Sequence, residues 1–121
     1  MARILVIDDS PTEIHHFVSV LARHGHDVFT ASNANDGIHL AGDEKPDIIL
    51  MDVVMPGING FQATRHLTRS DLTKHIPVII VSSKNQETDV VWGQRQGAKG
   101  YLTKPVKEEI LIETLNQLLC A

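Results

Sequence analysis

The chain has 121 residues, of which 42% are hydrophobic and 21% charged, and this size and balance predict one globular domain with a single core. Eleven basic and fifteen acidic residues give a net charge of -4, which argues against attraction to nucleic acid. No apolar run is long enough to cross a bilayer and the start is not a signal peptide, so we expect a cytoplasmic protein without membrane insertion. The single cysteine, Cys120, cannot form an internal disulfide.

The hydrophobic pattern predicts an α/β fold in which five strands alternate with five helices. The predicted strands lie at residues 3–7, 27–31, 48–51, 78–81 and 99–102. The predicted helices run from residue 11 to Gly25, from Asn33 or Asn35 to about Gly42, from 60 to about 67, from 86 to 96, and along an apolar stripe from Ile110 to Leu119. Regular alternation with short connections requires parallel strands and helices on both faces of the sheet. This pattern resembles the flavodoxin-like class, which implies the strand order 2-1-3-4-5.

The start of the first helix is marked by three residues. Ser10 and Glu13 have the spacing of a capping box, and Pro11 falls at the first helical position. We therefore expect Ser10 and Glu13 to cap each other's backbone.

The stretch from Asp47 to Gly60 contains the predicted central strand. Residues 48–51 are apolar on both faces, which is typical of a strand buried between two helical layers. Asp52 follows directly, and Pro56 and Gly57 then form a turn. Ligands bind at the carboxyl edge of open parallel sheets, so Asp52 is a candidate site residue.

Polar side chains that could form a site follow the first, third, fourth and fifth predicted strands. They are Asp8 and Asp9 after the first strand, Asp52 after the third, Ser82 and Ser83 after the fourth, and Lys104 after the fifth. With the order 2-1-3-4-5 these strands are neighbours, and their side chains can converge. Taken singly, each residue has a simpler explanation as a helix cap, a helix-dipole partner or a solvated charge.

Three converging carboxylates repel one another unless a cation lies between them. Oxygen ligands without cysteine or clustered histidine favour Mg²⁺, with Mn²⁺ also possible, over Zn²⁺. Together with Lys104 and a hydroxyl group, such a site can hold a phosphoryl group while one carboxylate attacks it. Asp52, alone at the end of the central strand, is the best placed nucleophile.

These motifs resemble the receiver domain of two-component response regulators. The matching residues are Asp8, Asp9, Asp52, Met55-Pro56-Gly57, Ser82 and the run from Tyr101 to Pro105. The resemblance covers all 121 residues and implies a single stand-alone receiver over residues 1–121, similar to CheY, with no output domain. Residues 1–13, 59–65 and 92–98 are further similar to family members that regulate twitching motility, which implies control of type IV pili by a chemosensory histidine kinase.

The resemblance also implies roles for the site residues. Asp52 would be the phosphoacceptor and would bind Mg²⁺ directly, together with Asp9 and the backbone carbonyl of Val54. Asp8 would position the ion through water, and Lys104 would pair with the phosphoryl group. The chain would act as a phosphoacceptor with at most weak self-phosphatase activity, and it would not be an enzyme in the usual sense.

The implied switch involves four residues. Ser82 would hydrogen-bond a phosphoryl oxygen and draw its loop inward, and Tyr101 would turn into the vacated space. The Lys104-Pro105 bond is expected to be cis. The change would be read by an unknown downstream protein on the face formed by the fourth helix, fifth strand and fifth helix.

The residues disfavour two other functions and are compatible with two more. A phosphatase with an aspartyl-phosphate intermediate generally carries a second aspartate where this chain has Val54, and a flavin carrier would not place Asp8 and Asp9 next to an unneutralised phosphate. A phosphate sink that drains a shared kinase, or a chemotaxis-type regulator of another motility system, would have the same residues. The sequence leaves these last two alternatives open.

Overall fold

The computed structural model describes residues 1–119, so Cys120 lies outside the described residues. The strands are β1 (Arg3–Ile7), β2 (Asp27–Ala31), β3 (Ile48–Met51), β4 (Val78–Ser82) and β5 (Gly100–Thr103). The helices are α1 (Pro11–Arg23), α2 (Ala34–Glu44), α3 (Gly60–Arg69), α4 (Glu87–Arg95) and α5 (Glu108–Leu119). Strands and helices alternate along the chain as the hydrophobic pattern predicts.

The five strands form one parallel sheet in the order β2-β1-β3-β4-β5, which confirms the predicted fold class. Every residue of β3 and β4 is buried, as expected for central strands covered on both sides. In the register, Ile7 lies opposite Met51, and Ser82 lies opposite Thr103. The carboxyl ends of β1, β3, β4 and β5 therefore meet at one edge.

Two hydrophobic layers cover the sheet because successive strand residues point to opposite faces. One face of the sheet packs against α1 and α5, chiefly through Phe17, Leu21, Leu111 and Leu115. The other face packs against α2 and α3, chiefly through Ala34, Ala41, Ala63 and Leu67. Among residues 1–119, no helix has both the length and the apolar character that a membrane span requires.

Some predicted boundaries and caps differ from the structure. Helix α2 continues past Gly42 and ends at Glu44, and the capping residue Lys45 has a left-handed φ of 49°. Asn33, and not Asn35, caps this helix by accepting a hydrogen bond of 2.8 Å from the Asp36 amide. β4 includes Ser82, β5 is shifted by one residue toward the C-terminus, and α4 is one residue shorter at each end than predicted.

The predicted capping box of α1 is only half formed. The Ser10 hydroxyl accepts from the Glu13 amide at 3.3 Å, but the Ser10 amide donates to Asp8 Oδ1 at 2.9 Å. In α5, Leu111 and Leu115 are buried, whereas Ile110 is exposed and does not belong to the buried stripe. Adjacent helical residues point about 100° apart, so Ile110 and Leu111 cannot both face the sheet.

Candidate functional site

Backbone hydrogen bonds hold two aspartates at the carboxyl edge of the sheet. The Asp52 amide donates to the Ile7 carbonyl at 2.9 Å, and the Asp8 amide donates to the Ala31 carbonyl at 3.1 Å. Both bonds continue the ladders of β3 with β1 and of β1 with β2. The position of each carboxylate is therefore set by the sheet itself.

Asp8, Asp9 and Asp52 form the predicted carboxylate cluster. One oxygen from each carboxylate lies within 4.8 Å of the other two. Asp8 and Asp52 are 2% and 7% exposed, whereas Asp9 is exposed and leaves the cluster open to solvent. Three convergent carboxylate oxygens with an open side fit Mg²⁺, which prefers hard oxygen ligands and retains several waters.

Lys104 reaches this cluster from the end of β5. Its amide donates to the Ser82 carbonyl at 2.9 Å, and its Nζ lies 2.9 Å from Asp8 Oδ2 and 3.3 Å from Asp52 Oδ1. Glu13 Oε2 lies 4.0 Å from the same nitrogen. The sequence did not reveal this position of Glu13, because its spacing from Ser10 suggested a cap. The Lys104-Pro105 bond is cis, as the resemblance predicts.

Burial and charge shift the pKa of two groups in the cluster. Burial, followed by repulsion from Asp8, raises the pKa of the Asp52 carboxyl group above its ordinary value, although Lys104 acts in the opposite direction. Burial alone would lower the pKa of the Lys104 ammonium, but its hydrogen bond to Asp8 and the negative charge of Asp52 raise it. Lys104 is therefore charged at neutral pH, and it offsets only part of the negative charge around it.

Gly60 allows α3 to begin directly against the backbone of Asp52. A Cβ atom at Gly60 would overlap the Asp52 carbonyl oxygen, and the Gly60 amide donates to the Val53 carbonyl at 2.9 Å. A reciprocal capping box between Asn59 and Gln62 fixes the start of this helix. The sequence marked Gly60 as the start of a helix, but its close packing against Asp52 depends on a tertiary contact that the sequence did not reveal.

Val54 lies two residues beyond Asp52 and is 59% exposed. Its neighbour Val53 is buried in a third hydrophobic cluster with Phe61 and Ile80. An exposed apolar side chain thus follows Asp52 by two residues, and it cannot orient water through a hydrogen bond.

The predicted switch residues lie at the ends of β4 and β5. Ser82 is fully buried, and its hydroxyl accepts from the Lys84 amide at 3.1 Å, whereas Ser83 is exposed. The Tyr101 hydroxyl donates to the Lys84 carbonyl at 2.5 Å. Burial, with a smaller contribution from Asp89, raises the pKa of the Tyr101 phenol and keeps it a donor at neutral pH. The two side chains are therefore connected through the backbone of one residue.

The ring of Tyr101 packs between the sheet and α4. It contacts the cluster that contains Ile80 and Phe61, and a Cβ atom at Gly93 would lie 3.2 Å from its Cδ2. Beside it, the outer face of α4 exposes Val91 and Trp92, the latter with 47% of its surface accessible. An apolar surface thus borders the switch residues.

The sequence and the fold match a known protein family. The family model of the response regulator receiver domain matches residues 4–116. The chain is a response regulator receiver domain. A receiver domain accepts a phosphoryl group from a cognate histidine kinase, and the cluster of Asp8, Asp9 and Asp52 is typical of the Mg²⁺ site of such domains.

The receiver is similar over its length to individual members of the family. It is 61% identical to protein PilH of Pseudomonas aeruginosa, with 98% of each chain covered. Its fold matches the crystal structure of chemotaxis protein CheY4 of Vibrio cholerae with a TM-score of 0.91 and 28% identity, over 98% of each chain. It also matches the receiver domain of sensor histidine kinase PA1611 from Pseudomonas aeruginosa, with a TM-score of 0.92, 24% identity and coverage of 99% and 98%. That structure has a magnesium ion in its active-site cleft.

Proposed function

We propose that this receiver is a phosphorylation-dependent switch in which Asp52 accepts the phosphoryl group. This role is supported by the position of the Asp52 carboxylate, which faces both the other two aspartates and Lys104. Asp52 belongs to the metal-type cluster and also lies 3.3 Å from Lys104 Nζ. No other carboxylate follows the central strand, and Asp8 is already engaged by the Ser10 amide.

In the proposed reaction, an Asp52 oxygen attacks the phosphorus of a kinase phosphohistidine. The new O–P bond forms as the N–P bond breaks, and the imidazole leaves with the bonding electron pair and takes up a proton. Lys104 pairs with an oxygen of the transferred group. Asp9, Asp52 and the Val54 carbonyl would hold Mg²⁺, and Asp8 would help to position it; the bound ion would supply positive charge for the phosphoryl oxygens.

We further propose that Ser82 binds a phosphoryl oxygen and that this bond is transmitted to Tyr101. Both residues contact the backbone of Lys84, so movement of one changes the hydrogen bonding of the other. Phosphorylation then shifts the population of loop arrangements toward the one that binds phosphate better. The affected surface comprises α4, β5 and α5, where Val91 and Trp92 are exposed.

We infer that the biological setting is the control of type IV pili and twitching motility. Support comes from the similarity to PilH, which extends over 98% of both chains. In this setting the protein is a cytoplasmic receiver that takes its phosphoryl group from a chemosensory histidine kinase and acts on a protein and not on nucleic acid. The exposed Trp92 favours such an effector over a phosphate sink, because a sink needs no output surface.

The test is the intact mass of the protein after incubation with Mg²⁺ and a small-molecule phosphodonor. We expect one phosphoryl adduct that requires Mg²⁺ and is absent in Asp52→Asn. The matched control Asp43→Asn removes an exposed carboxylate from α2 and should leave the adduct unchanged. An adduct that persists in Asp52→Asn would assign the phosphoacceptor elsewhere.

A further inference from the structure

A cavity lies next to the amino ends of β4 and β5, at the edge of the sheet opposite to the carboxylate cluster. It has a volume of about 580 Å³ and is lined by the ends of α3 and α4, by the segment before β4 and by Lys99 before β5. The five residues of β4, at about 3.3 Å each, separate this edge from Ser82 by about 16 Å. The cavity is therefore distinct from the phosphoacceptor site.

The charged residues that line this cavity are all basic. Four of the eleven Lys and Arg residues of the chain line it together with one histidine, although the net charge of the chain is -4. These residues are Arg69, Lys74, His75, Arg95 and Lys99. Lys74 pairs with Asp71 at 3.0 Å. The two arginines and Lys99 form no ion pair with any residue in 1–119.

Local helix electrostatics explain only part of this cluster. Arg69 and Arg95 occupy the last turns of α3 and α4, where a cation interacts favourably with the helix dipole. Lys74, His75 and Lys99 belong to loops and have no such reason to face the same space. The tertiary fold thus gathers cations from four separate segments around one concavity.

The remaining wall of the cavity is partly apolar. Ile76, Pro77 and Leu118 contribute to it, beside Gly97 with its left-handed φ of 102°. A concave site of this volume lies within the range of about 300 to 1,000 Å³ that small molecules occupy. A flat basic patch would instead fit an extended acidic segment of a protein.

We propose that this cavity binds a small phosphorylated organic anion of the nucleotide class. The guanidinium groups of Arg69 and Arg95 can each donate two hydrogen bonds to a phosphate, and Lys99 adds a point charge. The apolar wall accommodates a ring. Arg95 also borders the exposed surface of Val91 and Trp92, so a bound anion changes the charge at one end of the proposed output surface.

The test is isothermal titration of the full chain with ATP, at low ionic strength and in EDTA so that no metal links the nucleotide to the aspartates. We expect a dissociation constant below about 1 mM that weakens with added salt. Arg69 and Lys99 are both exposed, and the double variant Arg69→Gln, Lys99→Gln should weaken ATP binding at least about tenfold. Each substitution removes one charge-assisted contact with the phosphates. Lys107→Gln removes an exposed charge outside the cavity and should leave the constant within about twofold.

Three results would overturn the proposal. These are the absence of ATP binding at several millimolar, an equal loss of binding in Lys107→Gln, and retention of binding in the double variant. If polyglutamate binds through the same two residues while ATP does not, the cavity belongs to an acidic protein partner. Asp52→Asn should bind ATP normally, which separates this site from the phosphoacceptor.

Discussion

The Lys104 ammonium nitrogen lies 3.3 Å from Asp52 Oδ1, although these residues follow strands that are separated by β4. The side chain crosses the end of β4 to reach the carboxylate and also contacts Asp8 at 2.9 Å. Three carboxylates and this one ammonium leave two net negative charges in the cluster. A divalent cation has the charge that balances them.

We expect Asp52→Asn to stabilise the metal-free protein at neutral pH. Burial and the charge of Asp8 raise the pKa of Asp52, so its charged form destabilises the folded state. The pKa of Asp52 is higher in the folded protein than its ordinary value of 3.8, which applies to the unfolded chain. Protonated Asp52 therefore contributes stability below pH 3.8, and this contribution is lost as the pH rises through the pKa of the folded state. In EDTA at neutral pH, the free energy of unfolding of the variant should exceed that of the wild type.

Urea denaturation between about pH 4 and about pH 7 checks this prediction. The advantage of the variant should shrink as the pH falls, because the wild-type carboxyl group becomes protonated. Asp43→Asn serves as the control for the loss of an exposed carboxylate from α2. A difference between Asp52→Asn and wild type that stays constant with pH would show that another effect stabilises the variant.

Mg²⁺ should stabilise the wild-type protein, and Asp9→Asn should remove most of this effect. A ligand that binds only the folded state adds about 2.7 kcal/mol at 100 times its dissociation constant. Asp9 is exposed, so its replacement should leave the metal-free fold intact. Thermal melting with and without Mg²⁺ measures the effect, and Mn²⁺ should act similarly. An unchanged response in Asp9→Asn would exclude Asp9 as a direct ligand.

The exposed side chain of Val54 should lengthen the lifetime of the phosphorylated state. An apolar group cannot orient the water that attacks the aspartyl phosphate, whereas asparagine can. We expect Val54→Asn to accelerate dephosphorylation about fivefold, the factor that a hydrogen bond worth about 1 kcal/mol provides. Decay of the phosphoryl adduct by mass spectrometry gives the rate, and Val54→Ala should decay like the wild type. Equal rates in all three proteins would refute this role.

Trp92→Ala distinguishes an effector from a phosphate sink. The side chain is exposed on α4, so its truncation should leave phosphorylation unchanged. If the α4 surface binds a partner, the variant should not restore twitching in a strain that lacks the gene. Asp52→Asn should show the same defect. Leu72→Ala, which truncates an exposed apolar side chain between α3 and β4, is the matched control. Full restoration by Trp92→Ala would support the sink.

Local sequence patterns were sufficient to predict the strands and the residues that follow them. The apolar runs before Asp52 and Ser82 identify central strands, and parallel pairing then brings their ends together. The end of α2 was missed because Gly42 is tolerated within the helix, while Lys45 adopts the left-handed conformation. The contacts of Glu13 with Lys104 and of Gly60 with Asp52 depend on tertiary packing, which local spacing does not encode.

The Tyr101 hydroxyl is bound by the main-chain carbonyl of Lys84, and the Ser82 hydroxyl by the amide of the same residue. Neither bond uses the Lys84 side chain, which is exposed. Substitution of this side chain therefore leaves both hydrogen bonds available, because they need only the main chain. Descendants of this domain can thus diversify the exposed surface at position 84 while keeping the connection between Ser82 and Tyr101.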